Sequence, residues 1–130
     1  NMKEFRSLRF ANGLISLTLD GEISQKYVKL LNEVDVLQFP SAQCIEDRAM
    51  WQFERLRVLT APQVRQIKQS ACEWCFSMAY IYLPAIRNVG ESAFNSCTGL
   101  TSVCMDKVTQ LSRASFAHCL NLKAVRMNRA

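Results

Sequence analysis

Six cysteines and a single histidine carry the most reactive side chains of this 130-residue chain. Cys72-Glu73-Trp74-Cys75 has the CxxC spacing of redox and zinc sites. A zinc ion would need two further ligands. No second CxxC and no histidine pair stands nearby in sequence, and His118 precedes Cys119 at a position expected to face solvent. A zinc or redox protein acting through Cys72 and Cys75 is therefore the remote reading. Cys75, Cys97 and Cys119 fall 22 residues apart. Stacked on successive turns of one structure, their Cα atoms would lie ~5 Å apart, inside the disulfide range. Three in a ladder cannot all pair, however, and parallel side chains aim poorly at one another. Buried free thiols acting as small apolar fillers are the favoured reading. No serine or cysteine elbow, Gly-rich phosphate loop or paired carboxylate motif accompanies them. Glu46-Asp47 and Asp106 read as solvated loop charges. The expectation is a protein that is not an enzyme and carries no metal and no cofactor.

The cysteine spacing is one of several columns at the same period. Met78, Leu100 and Leu122 repeat it, as do Ile81, Val103 and Val125, and the only three prolines, Pro40, Pro62 and Pro84. A strict period of this length marks a solenoid, and it takes precedence over any local motif. Pro84–Asp106 is the cleanest unit. Val103 and Met105, like Ile81 and Leu83, sit two apart, the period of a short strand with one face buried. Ala93, Phe94, Cys97 and Leu100 suit a helical or 3₁₀ turn. Proline or aspartate after each strand ends it. One strand and one turn cannot bury their own apolar face, but stacked units can. Parallel strands about 4.8 Å apart would make a sheet on the order of 25 Å long.

The spacing predicts one domain over 1–130, an α/β solenoid of about six 22-residue units, right-handed, with a parallel sheet on one face and short helical or 3₁₀ turns on the other. GLISLTLD (13–20) and GLTSVCMD (99–106) read almost alike, and Leu8 and Ala11 match Phe94 and Cys97 in spacing. Residues 1–20 are thus expected to be an irregular first repeat capping the array, with regular repeats over 21–127. The second unit, from Asp20, would supply Ile23, Val28, Leu31, Val34 and Leu37 to the core. With 49% apolar residues a core can be buried. No apolar run is long enough to span a membrane, and no signal peptide is visible. The net charge of +5 is dispersed, which makes nucleic acid an improbable partner.

AFNSCTGLTSVCMD, preceded by IRNVGES, resembles the BspA-type leucine-rich repeat, whose pattern runs Ala-Phe-x-x-Cys-x-x-Leu-x-x-Val-x-Leu-Pro. The resemblance covers about Leu14 to Met127. Cys72 stands where Phe is usual, Phe53 where Cys is usual, and Asp106 where Pro is common. The first two are apolar swaps that a core accommodates. The resemblance implies a curved solenoid without catalysis that binds a protein or host macromolecule. It also implies a cell-surface or secreted location, and a role in adhesion or as a surface antigen. Six free thiols would instead fit an intracellular location. The alternative function is an intracellular scaffold whose open ends self-associate, since the last unit shows no polar capping helix.

Recognition is expected where the repeats differ. If Ile81 and Leu83 point inward, Tyr80 and Tyr82 point to the open side of the sheet. Val58 and Thr60, Ser102 and Cys104, Gln38 and Val36, and Arg126 would line up beside them. Two tyrosines with an arginine nearby have the composition of a binding hot spot. A second candidate is Trp51 and Trp74, one repeat apart and diagonal, which would form an aromatic patch on the convex side. Arg65 and Arg87 stack on adjacent repeats and, with Arg55, Arg57 and Lys123 elsewhere, give a dispersed basic surface open to an acidic partner, a polyanionic glycan or nucleic acid.

Overall fold

Each unit contains a three-residue run with its apolar residue in the middle: Val36-Leu37-Gln38, Val58-Leu59-Thr60, Tyr80-Ile81-Tyr82, Ser102-Val103-Cys104 and Ala124-Val125-Arg126. Extended backbone sends that residue to one side and its two neighbours to the other. A computed structural model describes residues 5–11, 14–19 and 33–126. Its strands are β1 (Phe5–Ala11), β2 (Leu14–Leu19), β3 (Val36–Gln38), β4 (Cys44–Ile45), β5 (Val58–Thr60), β6 (Gln66–Ile67), β7 (Tyr80–Tyr82), β8 (Asn88–Val89), β9 (Ser102–Cys104), β10 (Gln110–Leu111) and β11 (Ala124–Arg126).

Two sheets result. A seven-stranded sheet has the order β1-β2-β3-β5-β7-β9-β11, parallel from β2 onward. A four-stranded parallel sheet has the order β10-β8-β6-β4. The register is that of the repeat: Leu37 lies beside Leu59, Leu59 beside Ile81, Ile81 beside Val103, and Val103 beside Val125. The chain is thus a solenoid of stacked parallel strands with about 22 residues per turn.

The core lies between the sheets and the turn side. Leu37, Leu59 and Ile81 form one fully buried column, Ile45, Ile67 and Val89 a second, and Ala49, Ala71 and Ala93 a third. Met50, Cys72 and Phe94 form another, beside Phe53, Cys75 and Cys97. In these last two columns the smallest rung, Cys72 with Cys75, lies between rungs that carry Phe53 and Phe94. Leu111 and Val125 occupy inward columns in the final rung and are 47% and 42% exposed, since no described rung covers them.

The helical or 3₁₀ turn expected around Ala93–Leu100 does not form; among the described residues there is no helix. The segment is a run of overlapping turns. Ala49, Trp51 and Phe53 donate their N–H groups to the carbonyls three residues back, at 3.2–3.3 Å. The alternate N–H groups of Arg48, Met50 and Gln52 instead donate to Gln69, Ala71 and Glu73 on the next rung, at 3.1, 2.7 and 3.0 Å. A continuous helix would keep all of these bonds inside one rung. Two columns of residues with positive φ break it: Arg48, Ser70, Ser92 and Ala114, then Gln52, Trp74, Ser96 and His118. Left-handed backbone costs an L-residue roughly 1–2 kcal/mol, and here the inter-rung bonds offset that cost. Ala114, exposed at φ 58°, has no side-chain bond to help it. Ala114→Gly is therefore expected to stabilise the fold by about 0.5–1 kcal/mol, measured by urea titration. A loss of stability would show that the alanine is unstrained there.

At the N-terminus the described residues form an antiparallel pair, with Ala11 opposite Leu14 and Phe10 opposite Ile15. Leu8 and Ala11 lie in β1, and only β2 occupies the position of a repeat strand, with Leu17 beside Leu37. Ile23, Val28 and Leu31, assigned to the core of the second unit, lie outside the described residues, as does Met127.

Candidate binding surface

The outward residues of the seven-stranded sheet fall into two in-register columns. Val36, Val58, Tyr80, Ser102 and Ala124 form one. Thr18, Gln38, Thr60, Tyr82, Cys104 and Arg126 form the other. Alternation along β7 puts both tyrosines on this side while Ile81 is fully buried. The two rings lie 6.5 Å apart with 28° between their planes, a stacked pair. Tyr80 is 37% exposed and Tyr82 is half-buried. Partial burial, and then the groups of Cys104 and Tyr82, push the Tyr80 phenol up, so it stays a neutral donor at physiological pH. Around the pair, Val58, Thr60 and Ser102 are half-buried, and Gln38 is exposed at the flank, where Thr18 Oγ1 donates to its Oε1 at 2.7 Å.

Cys104 does not fit the expected open position. It takes the outward register beside Tyr82, yet only 4% of it is exposed. Asp106 and Arg126 close beside it, with Arg126 Nε 3.1 Å from Asp106 Oδ1. Burial and the Asp106 carboxylate push its thiol up. Arg126 itself is exposed, so the positive end of the surface is an arginine held by an acid rather than a free cation.

On the turn side, Trp51 and Trp74 are each 41% exposed. The Arg48 guanidinium sits 5.9 Å from the centroid of the Trp51 ring, a cation–π geometry. Trp74 meets Phe76 edge-on at 5.8 Å. Phe76, also 41% exposed, is an aromatic that sequence reasoning passes over. Its signal is a column of otherwise different character, Glu54, Phe76, Thr98 and Leu120, directly after the inward Phe53, Cys75, Cys97 and Cys119 column.

The cysteines are all free thiols. Cys75, Cys97 and Cys119 donate to the carbonyls of Met50, Cys72 and Phe94 on the preceding rung, at 3.0, 3.1 and 3.0 Å. The same bond thus recurs three times. Burial, together with the neighbouring Cys75, pushes the Cys72 thiol well up, the opposite of a reactive CxxC cysteine. Among the described residues, no group of three His, Cys, Asp or Glu side chains is placed to hold a metal ion. The ladder satisfies backbone carbonyls inside the core.

The family model of the BspA type leucine rich repeat region matches residues 22–130 in six copies. The chain belongs to this family. Curated proteins and solved structures give no match. The BspA-type repeat is a non-enzymatic fold that generally mediates protein interactions. Its apolar positions are those buried here, Ala93, Phe94, Cys97, Leu100 and Val103 among them. What individualises a BspA-type chain is therefore its outward residues. No helix among the described residues is long and apolar enough to cross a membrane.

Proposed function

We propose that this chain is a protein-binding module that recognises its partner through the open side of the seven-stranded sheet, and that it serves as an adhesin or surface-antigen segment. The observation that carries the reading is the stacked pair Tyr80–Tyr82, on the fifth of the sheet's seven strands and accessible from its open side. Tyrosine offers a large amphipathic contact area with few rotatable bonds, which is why it dominates hot spots. Val58, Thr60, Ser102 and Gln38 supply a rim of small and polar groups around the rings. Arg126, tied to Asp106, adds an oriented donor at one end. Trp51 and Trp74 are a second, subordinate contact on the turn side. Nothing in this reading requires catalysis, a metal or a cofactor.

The test is Tyr80→Ala with Tyr82→Ala against a partner captured by the wild-type chain. Affinity should fall about tenfold to thirtyfold, with the thermal midpoint close to wild type because neither ring belongs to the core. Unchanged affinity would remove the sheet's open side as the contact.

A further inference from the structure

We propose that Cys97 and Cys119 form a two-coordinate site for a soft monovalent metal ion, copper(I). The two thiols hold equivalent places on adjacent rungs. Cys97 Sγ donates to the Cys72 carbonyl at 3.1 Å and Cys119 Sγ to the Phe94 carbonyl at 3.0 Å, each 25 residues back. Since the second bond is the first repeated one rung on, the sulfurs are separated by the rung translation. Backbone bonds hold the rungs at strand-like spacing here too: Phe94 and Ser96 donate to Ser115 and Ala117 at 2.8 and 2.7 Å. The sulfurs therefore lie ~4.8 Å apart, and each thiol interacts directly with the other.

That spacing opposes a disulfide and suits a metal bridge. An S–S bond is about 2.05 Å long, so it would have to draw the two rungs together. Two metal–thiolate bonds of about 2.3 Å laid end to end span about 4.6 Å, close to the rung spacing. Parallel side chains then offer both sulfurs to one ion midway between them. The ion lies roughly at a right angle to each Cβ–Sγ bond, where a thiolate presents a lone pair.

The donor set selects the ion. Thiolate sulfur favours copper(I) over harder ions, and calcium and magnesium need about six oxygen ligands. Zinc takes four ligands, and among the described residues no third His, Cys, Asp or Glu joins the pair. Cys119 is half-buried, which gives an ion a way in, and Cys97 is fully buried behind it. Cys75 is fully buried as well, so the other pair of the ladder, Cys75 with Cys97, has no such entry. Binding breaks two S–H bonds and forms two Cu–S bonds; two protons leave to solvent and no electron moves. The Phe94 carbonyl gives up the Cys119 thiol but keeps the Cys97 N–H at 3.3 Å. A bound ion would tie the rung of β9 to the rung of β11.

The experiment titrates the reduced 130-residue chain anaerobically with copper(I), supplied as its acetonitrile complex, against a chromogenic copper(I) chelator. One ion per chain should be retained, X-ray absorption should find two sulfur neighbours and no nitrogen or oxygen, and zinc should displace none of it. Cys119→Ser should weaken retention by more than about 100-fold, beyond the 10–100-fold that loss of an outer-shell partner costs. Cys97→Ser should do the same with its circular dichroism matching wild type. Cys44→Ser, which removes the other half-buried thiol, should leave retention unchanged. No retention against the chelator would overturn the proposal. So would a third sulfur neighbour, retention that survives Cys119→Ser, or retention that is lost with Cys44→Ser.

Discussion

Replacing Phe94 with alanine is expected to cost about 3–5 kcal/mol, more than any exposed substitution in the molecule. Phe94 is fully buried and its ring stacks on Phe116, with centroids 5.0 Å apart and planes 18° apart. The preceding rung has only Cys72 and Cys75 in the corresponding columns, so it has no large side chain with which to collapse into the hole. The cavity term should therefore stay close to its full value. At this chain length the loss should lower the thermal midpoint by more than about 10 °C. Repeat stability is the sum of rungs and their interfaces, so weakening a central rung should also loosen cooperativity between its two sides. Hydrogen exchange would then show faster opening of the amides around β7 and β9 together. Phe116→Ala provides the internal comparison: Phe116 is already half-exposed, and its loss should cost less than half as much. A cost below about 1 kcal/mol for Phe94→Ala would mean that the rungs are not packed against each other there.

The inward columns are legible in the sequence because each repeats an apolar residue at one interval, and a solenoid has to satisfy that interval rung after rung. Tyr80 and Tyr82 are legible for the same reason, through the alternation around Ile81. Other features leave weaker traces. The four-stranded sheet is visible only as Ile45, Ile67 and Val89, each after one outward residue, and a two-residue strand is too short to display a period. The positive-φ columns hold Arg, Ser, Gln, Trp, Ala and His but no glycine, so no residue type announces them. Helical spacing and overlapping turns place Ala93, Phe94, Cys97 and Leu100 on the same inner side, and the difference lies in where the alternate N–H groups go. The N-terminal hairpin does have a signal. Asn12-Gly13 between the strands is the pair that most favours a two-residue hairpin connection, and the coincident spacing of Leu8 and Ala11 with Phe94 and Cys97 masks it. The burial of Cys104 depends on Asp106 and Arg126, from its own rung and the next, meeting beside it, which register alone does not reveal.

Gly99→Ala should also be strongly damaging for so small a change, at about 3 kcal/mol, the upper end of overpacking costs. A Cβ at Gly99 would lie 2.5 Å from the carbonyl oxygen of Phe76 on the preceding rung. The obstacle is backbone, so no side chain can swing aside; the two rungs must separate. The same column holds Arg55, Ser77 and Asn121, so the solenoid accommodates a side chain at this station in other rungs. Asn121 shows how: its Nδ2 donates to the Thr98 carbonyl, the counterpart of the Phe76 carbonyl one rung on, at 2.7 Å. Gly99→Asn would push the rung apart in the same way as alanine, but its amide could then donate to the Phe76 oxygen. It should therefore recover about 1 kcal/mol of the loss, the net worth of one hydrogen bond. Denaturant titrations of the two variants measure the difference directly. If asparagine proves as costly as alanine, the rung of β9 lacks the freedom to adopt the geometry of the rung of β11, and the close approach at Gly99 is imposed by the packing around Phe94 rather than by the glycine itself.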